Sequence, residues 1–129
     1  MILFLILILL LPFPTTVVPE WRLRVIDYND QPFVGEEVME IWQHYSLESD
    51  GHSEVRRTDE SGYVVFPRRK IWSPLLLRIV STSLAAVLTL AHGSMGVNAW
   101  VMVIGYSTNG GTRDYKPGKP LPSEIVLKR

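Results

Sequence analysis

Thr58-Asp59-Glu60-Ser61-Gly62-Tyr63-Val64-Val65-Phe66-Pro67 is the stretch on which the reading of this chain turns. The short carboxylate of Asp59 can accept hydrogen bonds from the backbone just ahead of it, and Gly62 can take a positive φ without a Cβ clash. Asp59 to Gly62 therefore predicts a tight hairpin turn. Tyr63-Val64-Val65-Phe66 is aromatic and β-branched, which suits a strand, and Pro67 ends it. Ahead of the turn, residues 52–58 alternate between polar types and read as an exposed strand at a sheet edge.

Working outward toward the N-terminus, Trp21-Arg22-Leu23-Arg24-Val25-Ile26-Asp27 alternates apolar and charged residues, the period of a half-buried strand. Asn29-Asp30-Gln31-Pro32 carries turn chemistry, and Gly35 closes the connection. Residues 38–45 form a second strand with an ambiguous inward face: Val38 and Trp42 lie on one side, Met39, Ile41 and Tyr45 on the other. Toward the C-terminus, Ser73-Pro74 predicts an N-cap followed by proline at the first helical position. Leu75–His92 then reads as a helix, with Gly93 as its stop. Leu76, Val80, Leu84, Val87, Leu88 and Ala91 make its apolar face, and Arg78, Ser81, Thr82, Ala85 and Thr89 a narrow polar stripe, so the helix is expected to be buried over most of its circumference. A membrane span is the rival reading of that segment. Residues 97–106 form the most apolar strand, 107–122 a long loop with Gly110-Gly111 and three prolines, and 123–128 a closing strand.

The first eighteen residues carry no charge, and residues 2–11 are an unbroken aliphatic and aromatic run. That run is too short for a bilayer core of about 30 Å, which needs roughly 20 residues. It matches the apolar part of a secretory signal, yet no Lys or Arg precedes it and no small-x-small cleavage site follows. A cleaved signal, an uncleaved anchor and a mis-chosen start codon are the alternatives. The expected division is residues 1–18 as signal or membrane anchor and 20–129 as one folded domain, exported or tethered to a membrane.

With 129 residues there is room for one domain. Formal net charge is zero, which argues against broad electrostatic binding of nucleic acid. The charge is nonetheless uneven: from Glu20 to Gly62 eleven acids face four arginines, and from Tyr63 onward nine bases face two acids. The absence of cysteine excludes disulfides, thiolate metal sites and thiol catalysis.

The segment from Val25-Ile26-Asp27 through Pro32 and Gly35 to Val38, followed by the Thr-Asp-x-x-Gly turn at Thr58 to Gly62, resembles the carboxypeptidase regulatory-like domains, which are transthyretin-like accessory sandwiches. The likeness covers about residues 21–67. It implies a mainly β, seven-strand Greek-key sandwich, here with one helix before the penultimate strand, and no catalytic residues. The enzymatic transthyretin relatives that hydrolyse 5-hydroxyisourate end in Tyr-Arg-Gly-Ser. This chain ends Ile125-Val126-Leu127-Lys128-Arg129, so that activity is not carried over.

Candidate chemistry is sparse. His52 and Glu54 share a strand face at i, i+2, and His44 could approach them, the minimum for a metal-dependent hydrolase. Solvated edge residues are the better reading of that pair. Glu36, Glu37 and Glu40 with Asp30 read as a solvated acidic face, without calcium-loop spacing. Trp42, His44, Tyr45, His52 and Glu54 make the expected binding surface, for a protein or carbohydrate ligand, because aromatic rings give contact area at small entropic cost. Arg68-Arg69-Lys70 could steady an anionic partner. No serine sits in a Gly-x-Ser-x-Gly elbow and no glycine loop cradles phosphate. The expectation is a non-enzymatic module without cofactor.

Overall fold

The computed structural model describes residues 1–92, 96–106 and 110–128. In chain order its elements are α1 (Ile2–Leu10), β1 (Pro12–Val18), β2 (Trp21–Asp27), β3 (Glu37–His44), β4 (His52–Arg57), β5 (Tyr63–Phe66), β6 (Arg69–Pro74), α2 (Leu75–His92), β7 (Val97–Val103), β8 (Thr112–Tyr115) and β9 (Glu124–Leu127). The protein is mainly β, with three sheets: the ribbon β1-β6, the sheet β5-β2-β9 and the sheet β4-β3-β7-β8. Within the middle sheet β2 runs antiparallel to β5 and parallel to β9.

The core lies where these sheets face one another. Trp21, Leu23 and Val25 point inward from β2, Val64 and Phe66 from β5, Ile125 and Leu127 from β9, and Val38, Ala99, Val101 and Val103 from β3 and β7. Each set alternates along its strand, so one face of each sheet is dry. Trp21 is completely buried, and its indole N–H donates to the Pro122 carbonyl at 2.7 Å. The ambiguity in β3 resolves to the even-numbered side: Val38 and Glu40 are fully buried and Trp42 packs on the core.

The Asp59 turn forms as its chemistry demands. The carboxylate accepts from the amides of Ser61 and Tyr63 at 2.8 and 2.9 Å, and Gly62 has φ +78°. A Cβ on Gly62 would lie 2.6 Å from the Val25 carbonyl, because the turn docks on β2: the Val25 amide donates to the Gly62 carbonyl at 2.8 Å. That docking corrects the expected hairpin. β4 and β5, on either side of the turn, belong to different sheets, and β5 pairs with β2 instead. Thr58 anchors the same arch, donating to the Phe33 carbonyl at 2.6 Å and accepting from the Glu36 amide at 2.9 Å.

Other expectations also change. The described residues hold nine strands rather than seven, and α2 precedes the third strand from the end, because Thr112–Tyr115 leaves the expected loop to pair with β7. Ser73 and Pro74 end β6, and the Ser73 hydroxyl donates to the Pro74 carbonyl at 3.3 Å rather than capping the helix. α2 is not buried on its apolar side: Leu76, Val80, Leu84 and Val87 are all exposed, since the helix leaves the body at the end of β6 and meets little besides α1 and β6. Among the described residues no helix is long and apolar enough to cross a membrane. Gly93 and the side chains of Ala85, Leu88, Thr89, Ala91 and His92 lie outside the description.

The first eighteen residues hold a strand as well as α1. Pro12–Val18 pairs along its length with β6, Thr15 opposite Ile71 and Thr16 opposite Lys70, and Val17 and Val18 are buried in the core.

Candidate functional site

A cleft of about 490 Å³ opens between β4 and β6, roofed by the turn that joins β3 to β4. Trp42 and His52 form one wall, Arg68 to Trp72 the other, and Leu47 and Glu48 close one end. Trp42 and His52 are cross-strand partners, which places both rings on the inward face; they stack at 5.4 Å between centroids. The Trp42 ring also receives the Arg69 guanidinium at 4.0 Å. Trp42 is therefore a structural floor, covered by cations or cation-forming groups. Trp72 on the opposite wall is the free aromatic surface, 67% exposed.

Beneath the floor the inward face of the β3-β4 pair changes from apolar to charged. Glu40 is completely buried, and Arg69, 12% exposed, donates Nε–H to its Oε2 at 2.7 Å. The same guanidinium reaches Glu54, opposite Glu40 in the ladder, at 2.7 Å, and Arg56 also holds Glu54. Burial pushes the Glu40 carboxyl above its ordinary range, with the Arg69 hydrogen bond and charge pulling the other way. Hydrogen bonds from Arg56 and Arg69 hold Glu54 below the usual carboxylate range. Glu40 Oε1 is buried without a hydrogen-bond partner, so the site keeps a charged group under strain from desolvation.

Neither a family model, nor a curated protein, nor a solved structure matches this chain. The chemistry of the site therefore rests on its own geometry.

Of the five residues expected to form a binding surface, Trp42 and His52 line the cleft, and Glu54 meets it only through Arg69. Tyr45 stands outside the lining, accepting a hydrogen bond from the Asn98 amide at 3.2 Å. His44 shares the inward face of β3 with Trp42 but is not in the lining; its amide donates to Glu48 at 2.9 Å, and its Nδ1 is buried without a partner. The triad of His52, Glu54 and His44 does not assemble. His52 is bonded to Glu48 at 2.8 Å, and Glu54 is occupied by two arginines. Among the described residues no three His, Asp or Glu side chains come together in a way that could hold a metal ion. The expected acidic face dissolves as well: Glu37 pairs with Arg57 at 2.7 Å, Asp30 with Arg24 at 3.2 Å, and Glu40 points to the opposite side of β3 from Glu37. Sequence reasoning named Arg69 only within the basic triplet 68–70 and missed its inward pairing with Glu40 and the part of Trp72. The one signal for them was the basic triplet beside an isolated tryptophan.

Burial holds the His44 imidazole below its ordinary value near 6.5. The folded state thus takes up this proton later than the unfolded chain does. The resulting contribution to stability is present above pH 6.5 and is lost as pH falls through the lowered value. The melting temperature is expected to drop between pH 7 and pH 5, and His44→Gln to flatten that part of the profile. Calorimetry of both proteins across this range checks it.

Proposed function

We propose that this protein is an exported, non-enzymatic binding module of the carboxypeptidase regulatory-like kind, and that the cleft between β4 and β6 takes an extended acidic segment of a partner protein. The two cleft walls are strand edges. β4 pairs only with β3 and β6 only with β1 among the described residues, so each presents backbone donors and acceptors to an added strand. The rim is cationic. Arg69 is neutralised by Glu40 and Glu54, whereas Arg68 and Lys70 make no ion pair among the described residues. Trp72 gives the incoming chain a rigid apolar contact flanked by these charges. This juxtaposition of two open edges with a basic, tryptophan-bearing rim carries the reading.

The Greek-key transthyretin-like topology is part of the same proposal, supported by the facing sheets, the Asp59 arch and the buried Thr58. A hydrolase using His52, Glu54 and His44 is less well supported, because the arginines on Glu54 remove the free carboxylate it requires.

Isothermal titration of the whole protein with a Glu/Asp-rich decapeptide, a Lys-rich decapeptide and a neutral oligosaccharide tests the ligand class. The acidic peptide alone is expected to bind. Its affinity should fall with added salt, and about tenfold or more in Trp72→Ala and in the Arg68→Glu/Lys70→Glu pair. Binding of the oligosaccharide without the peptide, or peptide affinity indifferent to the charge reversal, overturns the reading.

A further inference from the structure

We infer that α1 and α2 together form a tip that inserts into one leaflet of a lipid bilayer without crossing it. This inference shares the β1-β6 ribbon and Trp72 with the cleft reading but not its ligand, so the flotation and the peptide titration can fail separately. The topology brings the two helices to one place. Pro12, which follows α1 after a single residue, pairs with Pro74, which α2 follows directly, so both helices leave from the same end of the β1-β6 ribbon and lie against each other.

α1 has no polar side. It consists only of Ile, Leu and Phe, none of its residues is buried, and their exposure reaches 81% at Leu3. Shallow apolar grooves run along two of its flanks, one lined by Leu3, Ile6, Leu7 and Leu10, the other by Ile2, Leu5 and Ile8, with Phe4 shared between them. A protein groove would cover one side of such a helix and leave the others in water. Hydrocarbon covers every side at once. α2 adds an exposed apolar face of its own, with Leu76, Val80, Leu84 and Val87 recurring at helical spacing.

Length sets the depth. Nine residues at about 1.5 Å each make α1 about 14 Å long, less than half of the roughly 30 Å hydrocarbon core. The ribbon behind the helices is ordered as a membrane interface requires. Phe13 and Trp72 are exposed on adjacent strands, and the Arg78 guanidinium sits over the Phe13 ring at 4.1 Å while donating to the Phe13 carbonyl at 2.8 Å and to the Thr15 hydroxyl. An apolar tip, then aromatic rings, then a guanidinium is the polarity sequence from acyl chains to headgroups. No charged side chain precedes Glu20, so no side chain of the first helix opposes insertion.

The test uses the full chain diluted from detergent into vesicles of phosphatidylcholine with phosphatidylglycerol, followed by flotation. The protein is expected to float with the vesicles. Ile6→Asp with Leu7→Asp, and separately Leu84→Asp with Val87→Asp, should each reduce the bound fraction at least tenfold, with the far-ultraviolet spectrum reporting that the β body stays folded. Because the chain lacks cysteine, a single Leu3→Cys can carry a fluorophore. Nitroxide lipids labelled at mid-chain should quench it, and a water-soluble quencher on either side of the vesicle should not. A protein that stays behind and self-associates through its helices, or one whose vesicle binding ignores the α2 substitutions, overturns the inference.

Discussion

Arg69→Ala is expected to destabilise the protein by about 3–5 kcal/mol at neutral pH, the usual cost of stripping the partner from a buried ion pair. Glu40 is completely buried, and Arg69 alone bridges it to Glu54. Without the guanidinium the Glu40 carboxylate stays in the interior with only the weaker pull of the Arg56 charge to offset its burial, and its pKa rises further. The deficit should therefore shrink as pH falls and Glu40 takes up a proton, the signature that separates lost charge pairing from lost packing. The lost cation over Trp42 adds to the effect at all pH values. Replacing both partners, Glu40→Leu with Arg69→Met, should recover most of the loss, since an apolar pair of similar size needs no desolvation. Urea denaturation at pH 7 and pH 5 measures all three quantities. A single-mutant deficit below about 1 kcal/mol would mean that the pair is dispensable.

Trp21→Ala should cost a similar amount, about 3–5 kcal/mol, for a different reason. Trp21 is the largest fully buried side chain, and its ring meets Tyr115 edge-on at 6.5 Å. Its indole N–H satisfies the Pro122 carbonyl at 2.7 Å, which ties the segment before β9 to the start of β2. Trp21→Phe keeps most of the volume and removes only that hydrogen bond, so a loss of about 1–2 kcal/mol is expected from the unpaired carbonyl. The two substitutions, compared by urea midpoint at one pH, divide the cavity from the hydrogen bond. Neither should respond to pH as Arg69→Ala does, because the contacts of Trp21 named above involve no carboxyl or imidazole group.

These residues also show what could be read from the chain. Trp21 to Asp27 announces its strand because Trp21 to Val25 alternates with one dry face before Ile26 and Asp27 are buried as well. The Asp59-to-Gly62 turn is legible because its conformation depends on local chemistry alone: a carboxylate accepting two amides and a residue able to hold φ at +78°. What the turn connects was not legible, since the choice between a hairpin and an arch depends on β2, more than thirty residues away in sequence. β1 and β6 were hidden by Pro12, Pro14 and Pro74, which argue against a strand everywhere except in a ribbon with free edges. Arg69 was hidden for a related reason. A basic triplet normally solvates, and only the acid facing it in the fold, Glu40, explains why one of its three basic residues turns inward. The helical period of α2 gave the element and its range, but period cannot say whether an apolar face meets protein or something else.

The cleft and the two-helix tip share one support, the ribbon in which Pro12–Val18 pairs with Arg69–Pro74. Hydrogen exchange on the full chain, read residue by residue, tests that ribbon most directly. Pairing predicts slow exchange at alternate amides of both strands, those directed at the partner strand, approaching the protection of β2, with the amides on the open edges exchanging faster. Exchange of residues 12–18 at the rate of an unstructured leader, beside a protected β2, would contradict it.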